Sequence, residues 1–222
     1  MGTRIQHAFA EPTKQGVGLI LYGDYNDLRS LHETIHSLCG DAGGCHSVQH
    51  EHALSMAYDL RKAYEGKRES KSVGEGGDTY LGVKLVWTYA LFYASFFRQC
   101  AGFQPTNKEH QANLYHFEFC IENALLKYEP KIGSEIINSY SSIGFVSQKF
   151  LFSFVDDVSF QYIYQGGTGK MRFKRLPQVL RQFHEWSSEY KEHEEFMTLQ
   201  AKQQNCSVHD LRDMREWPDF KW

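Results

Sequence analysis

His32-Glu33-Thr34-Ile35-His36 is the stretch of this chain that spells a catalytic motif. In H-E-x-x-H zinc hydrolases two histidines one helical turn apart hold the metal, and the glutamate activates its water. Leu28, Leu31, Ile35, Leu38 and Cys39 recur at helical spacing around the motif and predict a helix over residues 25–39. With Leu28 at zero and ~100° per residue, the apolar face centres near ~330°, and His32, Glu33 and His36 fall near ~40°, ~140° and ~80°. The three share one arc, as metal chemistry requires, but that arc lies off the apolar face. Thr34 stands where zinc hydrolases usually carry an apolar residue. A third ligand is also needed, and the metzincin extension would put histidine where Ala42 stands.

The densest run of ligand types follows at once: Cys39, Cys45, His46, His50 and His52. Cys39 and Cys45 are separated by five residues, outside the C-x₂₋₄-C spacing of structural zinc sites. His46 or His50 on a folded-back glycine-rich loop is the source of a third ligand. The zinc site the sequence suggests is therefore His32, His36 and His46, with Glu33 as general base. No other cofactor is implied.

Gly166-Gly167-Thr168-Gly169-Lys170 resembles the end of a P-loop, but Tyr164 and Met171 occupy places that the motif reserves for Gly and for Ser or Thr. The stretch predicts a hairpin turn. Lys170, Arg172, Lys174 and Arg175 then form a basic strip, read either as a contact for phosphate or an acidic partner, or as a charged edge strand that discourages aggregation. Asp156-Asp157 lacks the nearby Glu-x-Lys or Asp-x-Lys of a metal-dependent nuclease. No G-x-S-x-G, G-x-G-x-x-G or C-x-x-C occurs.

The elements that must position these residues follow from periodicity. Residues 3–10 predict a strand ending before Pro12, and 17–22 a short apolar strand. Asp24 suits the N-cap of the 25–39 helix, Asp27 suits its first turn, and Gly40 its C-cap. Ser47 starts a second helix that runs through Tyr64 to Gly66. Residues 65–78 carry charges and glycines and read as a mobile loop. Tyr80–Trp87 predicts a strand. Tyr89–Gln99 is apolar on every face and fits a buried helix or an unbroken strand. Thr106-Asn107-Lys108-Glu109 is a capping box for a long helix ending before Pro130, and a shorter helix is expected over 134–143.

Phe150 to Tyr164 alternates in the manner of two strands, and Lys170 to Lys174 reads as a strand pairing back. A single long helix is expected from Pro177 to Gln203. The architecture is α+β: one domain over 1–222, with a small, mostly antiparallel sheet covered by several helices and more helix than strand. Its strands lie near residues 5, 19, 83, 153, 161 and 172.

The segment LILYGDYNDLRSLHETIH, residues 19–36, resembles the N-terminal strand and helix of a bacterial family known only as a domain of unknown function. The resemblance covers about the first 40 residues. It implies a bacterial source and no activity.

Composition bounds the remaining choices. Hydrophobic content of 41% and charged content of 23% fit an ordinary globular protein. A net charge of −3 argues against general nucleic-acid or anionic-membrane binding. Five irregularly spaced cysteines do not form a disulfide framework and suit a reducing cytosol. The N-terminus shows no signal peptide, and the longest apolar run, Leu85–Phe97, is too short to span a bilayer. With no complete catalytic constellation, the sequence predicts a cytosolic accessory, immunity or defence-associated protein that acts by binding another protein such as a toxin or defence component. The alternative is a zinc-dependent hydrolase. Trp186, Trp217, Phe220 and Trp222 near the C-terminus either fold back or meet a second subunit of a homo-oligomer.

Overall fold

The structure is a computed structural model. It describes residues 7–39, 47–73, 78–143, 150–165, 167–184, 187–211 and 217–222; side chains are also undescribed at 47–52, 142 and 209. Four strands, β1 (Phe9–Pro12), β2 (Gly18–Gly23), β3 (Glu69–Val73) and β4 (Asp78–Val86), form one antiparallel sheet in the order β1-β2-β4-β3. The helices are α1 (Tyr25–Cys39), α2 (Ser47–Tyr64), α3 (Trp87–Phe103), α4 (Lys108–Tyr128), α5 (Pro130–Ile137), α6 (Leu151–Tyr164), α7 (Lys170–Lys174), α8 (Leu176–Arg181) and α9 (Ser188–Gln204). The architecture is α+β with helix far exceeding strand.

The sheet has two unlike faces because side chains alternate along each strand. Leu19, Leu21, Val83 and Leu85 point into the core and are buried. Ile20, paired with Lys84, and Tyr22, paired with Gly82, lie on the other face. There Phe9 stacks on Tyr22 at 5.3 Å. Gly82 makes room for that ring: a Cβ at this position would sit 2.7 Å from two Tyr22 ring carbons. Lys71 reaches over this face to Glu11 at 2.7 Å, and Lys84 reaches Glu69 at 2.8 Å.

α1 begins as expected, with one addition. The Asp27 backbone N–H donates to Asp24 Oδ1 at 2.7 Å, and the Asp24 N–H donates back to Asp27 Oδ2 at 3.2 Å, so the two aspartates form a reciprocal cap. α2 ends at Gly66, whose φ of 75° suits a glycine C-cap. The expected C-cap at Gly40 lies outside the described residues. α3 is a helix and not a strand. It supplies the centre of the core, with Trp87, Phe92, Phe96 and Phe97 fully buried. α4 is capped by Asn107, whose side chain accepts from the His110 N–H at 2.8 Å; the capping box expected from Thr106 does not form. α5 starts at Pro130, earlier than the 134 expected.

Five expectations are corrected. The stretch 65–78 is not simply a loop: it carries β3, which pairs with β4 through its whole length. β1 runs through Pro12, tolerated because β1 is an edge strand whose missing N–H breaks no ladder. Residues 151–164 are helix, not strand. Leu151, Phe152, Phe154, Val155, Val158, Ser159, Tyr162 and Ile163 are buried, a spacing of one helix face that the alternating aromatics conceal. Lys170–Lys174 is a helical turn, and the long helix expected from Pro177 is broken between Arg181 and Ser188. Ser187 makes the break: its hydroxyl oxygen accepts from the Tyr190 N–H at 3.1 Å and so starts α9 afresh.

Candidate functional site

The H-E-x-x-H residues lie on the flank of α1. Its buried stripe is Leu28, Leu31, Thr34, Ile35, Leu38 and Cys39, with Asp27 at the N-terminal end. His32 is half-buried, its ring edge-on to Tyr64 of α2 at 5.7 Å. The His32 and His36 rings are 4.5 Å apart. Burial, and the neighbouring His36, hold the His32 pKa below its ordinary value. Its Nδ1 is buried without a hydrogen-bond partner. Glu33 faces solvent and pairs with Arg29 at 2.8 Å. Thr34 is buried and donates to the Ser30 carbonyl oxygen at 2.9 Å; its hydroxyl accepts from Asn113 Nδ2 at 2.8 Å, which ties α1 to α4. Among the described residues, no three His, Cys, Asp or Glu side chains converge on one ion position. His46 and Cys45 lie outside the described residues, as do the side chains of His50 and His52.

The basic strip does not form one surface. Lys170 pairs with Glu129 at 3.0 Å. Lys174 is exposed, and Arg175 turns onto Gln165, donating to its backbone oxygen at 3.1 Å and to its side-chain oxygen. Arg172 is buried, with Nη1 donating to the Gln15 carbonyl oxygen at 3.4 Å. A strand would keep alternate residues on one face; the helical turn of α7 instead separates Arg172 from Lys170 and Lys174, and Arg175 follows the turn. Arg172 belongs to a clamp on the turn between β1 and β2. The Tyr128 hydroxyl donates to Lys14 O at 3.3 Å, the Gly169 N–H to Gln15 O at 2.9 Å, the Tyr162 hydroxyl to Gly16 O at 2.6 Å, and the Trp87 N–H to Val17 O at 3.0 Å. Gly16 fits there because any Cβ would meet the Gly169 oxygen at 2.3 Å, and its φ of 68° favours glycine. The glycine-rich stretch therefore holds the fold at Gly169.

A polar cluster between α1 and α4 was not anticipated. Asp27, Asn113, His116 and Cys120 line a cavity of about 20 Å³, room for one water molecule. His116 Nε2, acting as donor, and the Cys120 thiol both reach the Ala8 carbonyl oxygen, at 2.8 and 3.4 Å. The signal was present as polar residues at positions 113, 116 and 120, on the apolar side of α4. Burial, with the Asp27 carboxylate nearby, pushes the Cys120 thiol up to about 12, so it stays protonated at neutral pH and is no nucleophile. Asp156 accepts from the Tyr89 hydroxyl at 2.6 Å, and Asp157 accepts from Gln161 at 3.1 Å. Both sit within α6.

α9, like α4 with Tyr115 and Phe119, carries exposed apolar side chains. Tyr190, His193, Met197 and Ala201 form its inner stripe. Tyr190 meets Phe154 at 5.3 Å, and His193 Nε2 lies 2.9 Å from Ser153 Oγ. On the opposite side Phe196 is 56% exposed and Leu199 52% exposed, with Glu192 and Glu195 exposed beside them. The profile of a family described as Domain of unknown function (DUF6904) matches residues 9–222. The chain belongs to that family. The match extends the N-terminal resemblance across nearly the whole chain. No curated protein and no solved structure matches.

The C-terminal aromatics of this family member fold back onto its own body. Trp217 packs between Tyr89 at 6.3 Å and Phe160 at 5.9 Å, and Trp222 lies under the Lys84 ammonium at 5.7 Å. Trp186 lies outside the described residues. No helix among the described residues is long and apolar enough to cross a membrane.

Proposed function

We propose that the chain is a cytosolic bacterial accessory or immunity protein that binds another protein and does not turn over a substrate. The outer face of α9 carries this reading. A helix that leaves Phe196 and Leu199 in water, rimmed by Glu192 and Glu195, has the apolar centre and charged border of a protein-binding surface. The complementary partner presents an apolar socket with a basic rim. A nuclease toxin or defence component fits that description, because a cleft that binds nucleic acid must carry cations. A second copy of the chain fits less well: in a two-fold interface centred on this face the same glutamates would approach one another. The zinc-hydrolase reading depends on a third ligand from outside the described residues.

The test is affinity capture from the source cell with the full chain, followed by the double variant Phe196→Asp/Leu199→Asp. The reading expects one protein recovered at a fixed stoichiometry and lost with the double variant, while circular dichroism stays unchanged. Capture that is indifferent to the double variant would move the binding surface elsewhere. Absence of any partner, together with turnover of a small molecule, would overturn the reading.

A further inference from the structure

We propose that His32 and His36 form a two-imidazole site on the flank of α1 for a late divalent transition-metal ion, with water completing its coordination. The inference is independent of the role given to α9.

The geometry comes first. Metal–nitrogen bonds of about 2.0–2.1 Å place each ring centroid about 3.2 Å from an ion lying on the nitrogen lone pair. Two such rings, with bonds about 90–110° apart at the ion, have centroids about 4.5–5.2 Å apart. His32 and His36 stand at 4.5 Å, so α1 already holds the pair at a chelating separation. The i, i+4 relation on a formed helix fixes that spacing without a loop having to close.

One further observation points the same way. His32 Nδ1 is buried with no hydrogen-bond partner, and coordination would supply one. The charged groups around His32 do not close the site. Arg29 is drawn to Glu33 at 2.8 Å, and Arg61 of α2 faces Glu65 at 3.9 Å. His36 is exposed, which leaves the ion open to solvent on one side. Two protein ligands and open water positions describe an exchangeable ion that can also accept an oxygen or nitrogen donor from a bound molecule, and not a closed structural centre. Imidazole ligands select Cu²⁺ above Ni²⁺ and Zn²⁺ in the usual order of affinities.

The experiment uses the full chain in chelator-free buffer at neutral pH, with Cu²⁺ added below stoichiometry as a paramagnetic probe. The ring C–H resonances of His32 and His36 should broaden first and together. In calorimetric titration with Zn²⁺, His36→Ala should weaken binding by at least about tenfold, the scale on which even second-shell losses act, while His184→Ala at an exposed site should leave it unchanged. Broadening that appears first at other histidines, or a His36→Ala titration equal to that of the wild type, would overturn the site.

Discussion

α3 and α9 are each seventeen residues long, and they do opposite work. α3 buries eleven residues and is enclosed along most of its length, its last turn at Phe103 reaching water; α9 buries two and is held along one stripe. In α3 the rings pack against each other and against α6: Phe92 on Phe96 at 5.4 Å, Tyr93 on Phe97 at 5.5 Å, and Phe96 on Phe152 at 5.3 Å. In α9 the comparable side chains, Phe196 and Leu199, face water. The aromatic richness of the chain therefore serves two ends. Most of it fills a core that fixes the fold, and a remainder, Phe196 on α9 among it, stays exposed. α3 is where a substitution should change stability, and the outer face of α9 is where it should change association.

The sharpest way to break this contrast is to empty the core. Phe96→Ala should cost about 3–5 kcal/mol in denaturant unfolding, because it removes a fully buried ring and leaves a cavity. A loss below about 1 kcal/mol would mean that α3 is not the organising core helix. Tyr190→Ala is expected to cost less globally but to act on one element. Tyr190 packs on Phe154 and its hydroxyl oxygen accepts from the Phe150 N–H at 3.3 Å, so its loss frees α9 from the body. Hydrogen exchange should then accelerate across residues 190–204 while α3 keeps its protection. Uniform acceleration in both helices would contradict the separation.

Cys120 gives a smaller, pH-dependent effect. Its folded pKa of about 12 stands above the ordinary 9.0, so the native state retains a proton that the unfolded chain releases. The associated stability is fully present below about 9 and declines as pH rises from there towards 12. Cys120→Ala should flatten that alkaline decline. At neutral pH iodoacetamide should modify the partly exposed Cys206 well before Cys120. The smallest effect is expected at Glu33→Gln, which removes an exposed, solvent-screened ion pair with Arg29 and should leave the unfolding midpoint unchanged.

The same contrast explains how far the sequence could be read. α1 and α2 were legible because each shows one face to a core and one to water, and so prints a single period; β2, buried along nearly its whole length, was legible as a short apolar run. α3 is buried all round and prints no period, which is why helix and strand both fitted Tyr89–Gln99. α6 misled more strongly. Phe150, Phe152 and Phe154, then Val158, Phe160, Tyr162 and Tyr164, alternate along the chain, yet Leu151, Val155 and Ile163 complete a helix face between them. β3 was hidden by its composition, Glu-Ser-Lys-Ser-Val, since an edge strand needs little apolar surface once β4 supplies the ladder. For the candidate sites, helical spacing placed His32 and His36 correctly on one arc. It could not show that Arg172 turns inward to Gln15 while Lys170 and Arg175 find partners elsewhere. Those contacts join residues more than a hundred positions apart in the case of Arg172 and Gln15, and no local pattern records them.

The most direct measurement compares partner affinity for the wild type and for Phe196→Asp/Leu199→Asp, with the partner purified and the unfolding midpoint of each form recorded alongside. The account predicts an affinity loss of at least about a hundredfold, as expected for two central apolar anchors. It also predicts unfolding free energies within about 0.5 kcal/mol of each other, because both residues face solvent. Equal affinity of the two forms would contradict it.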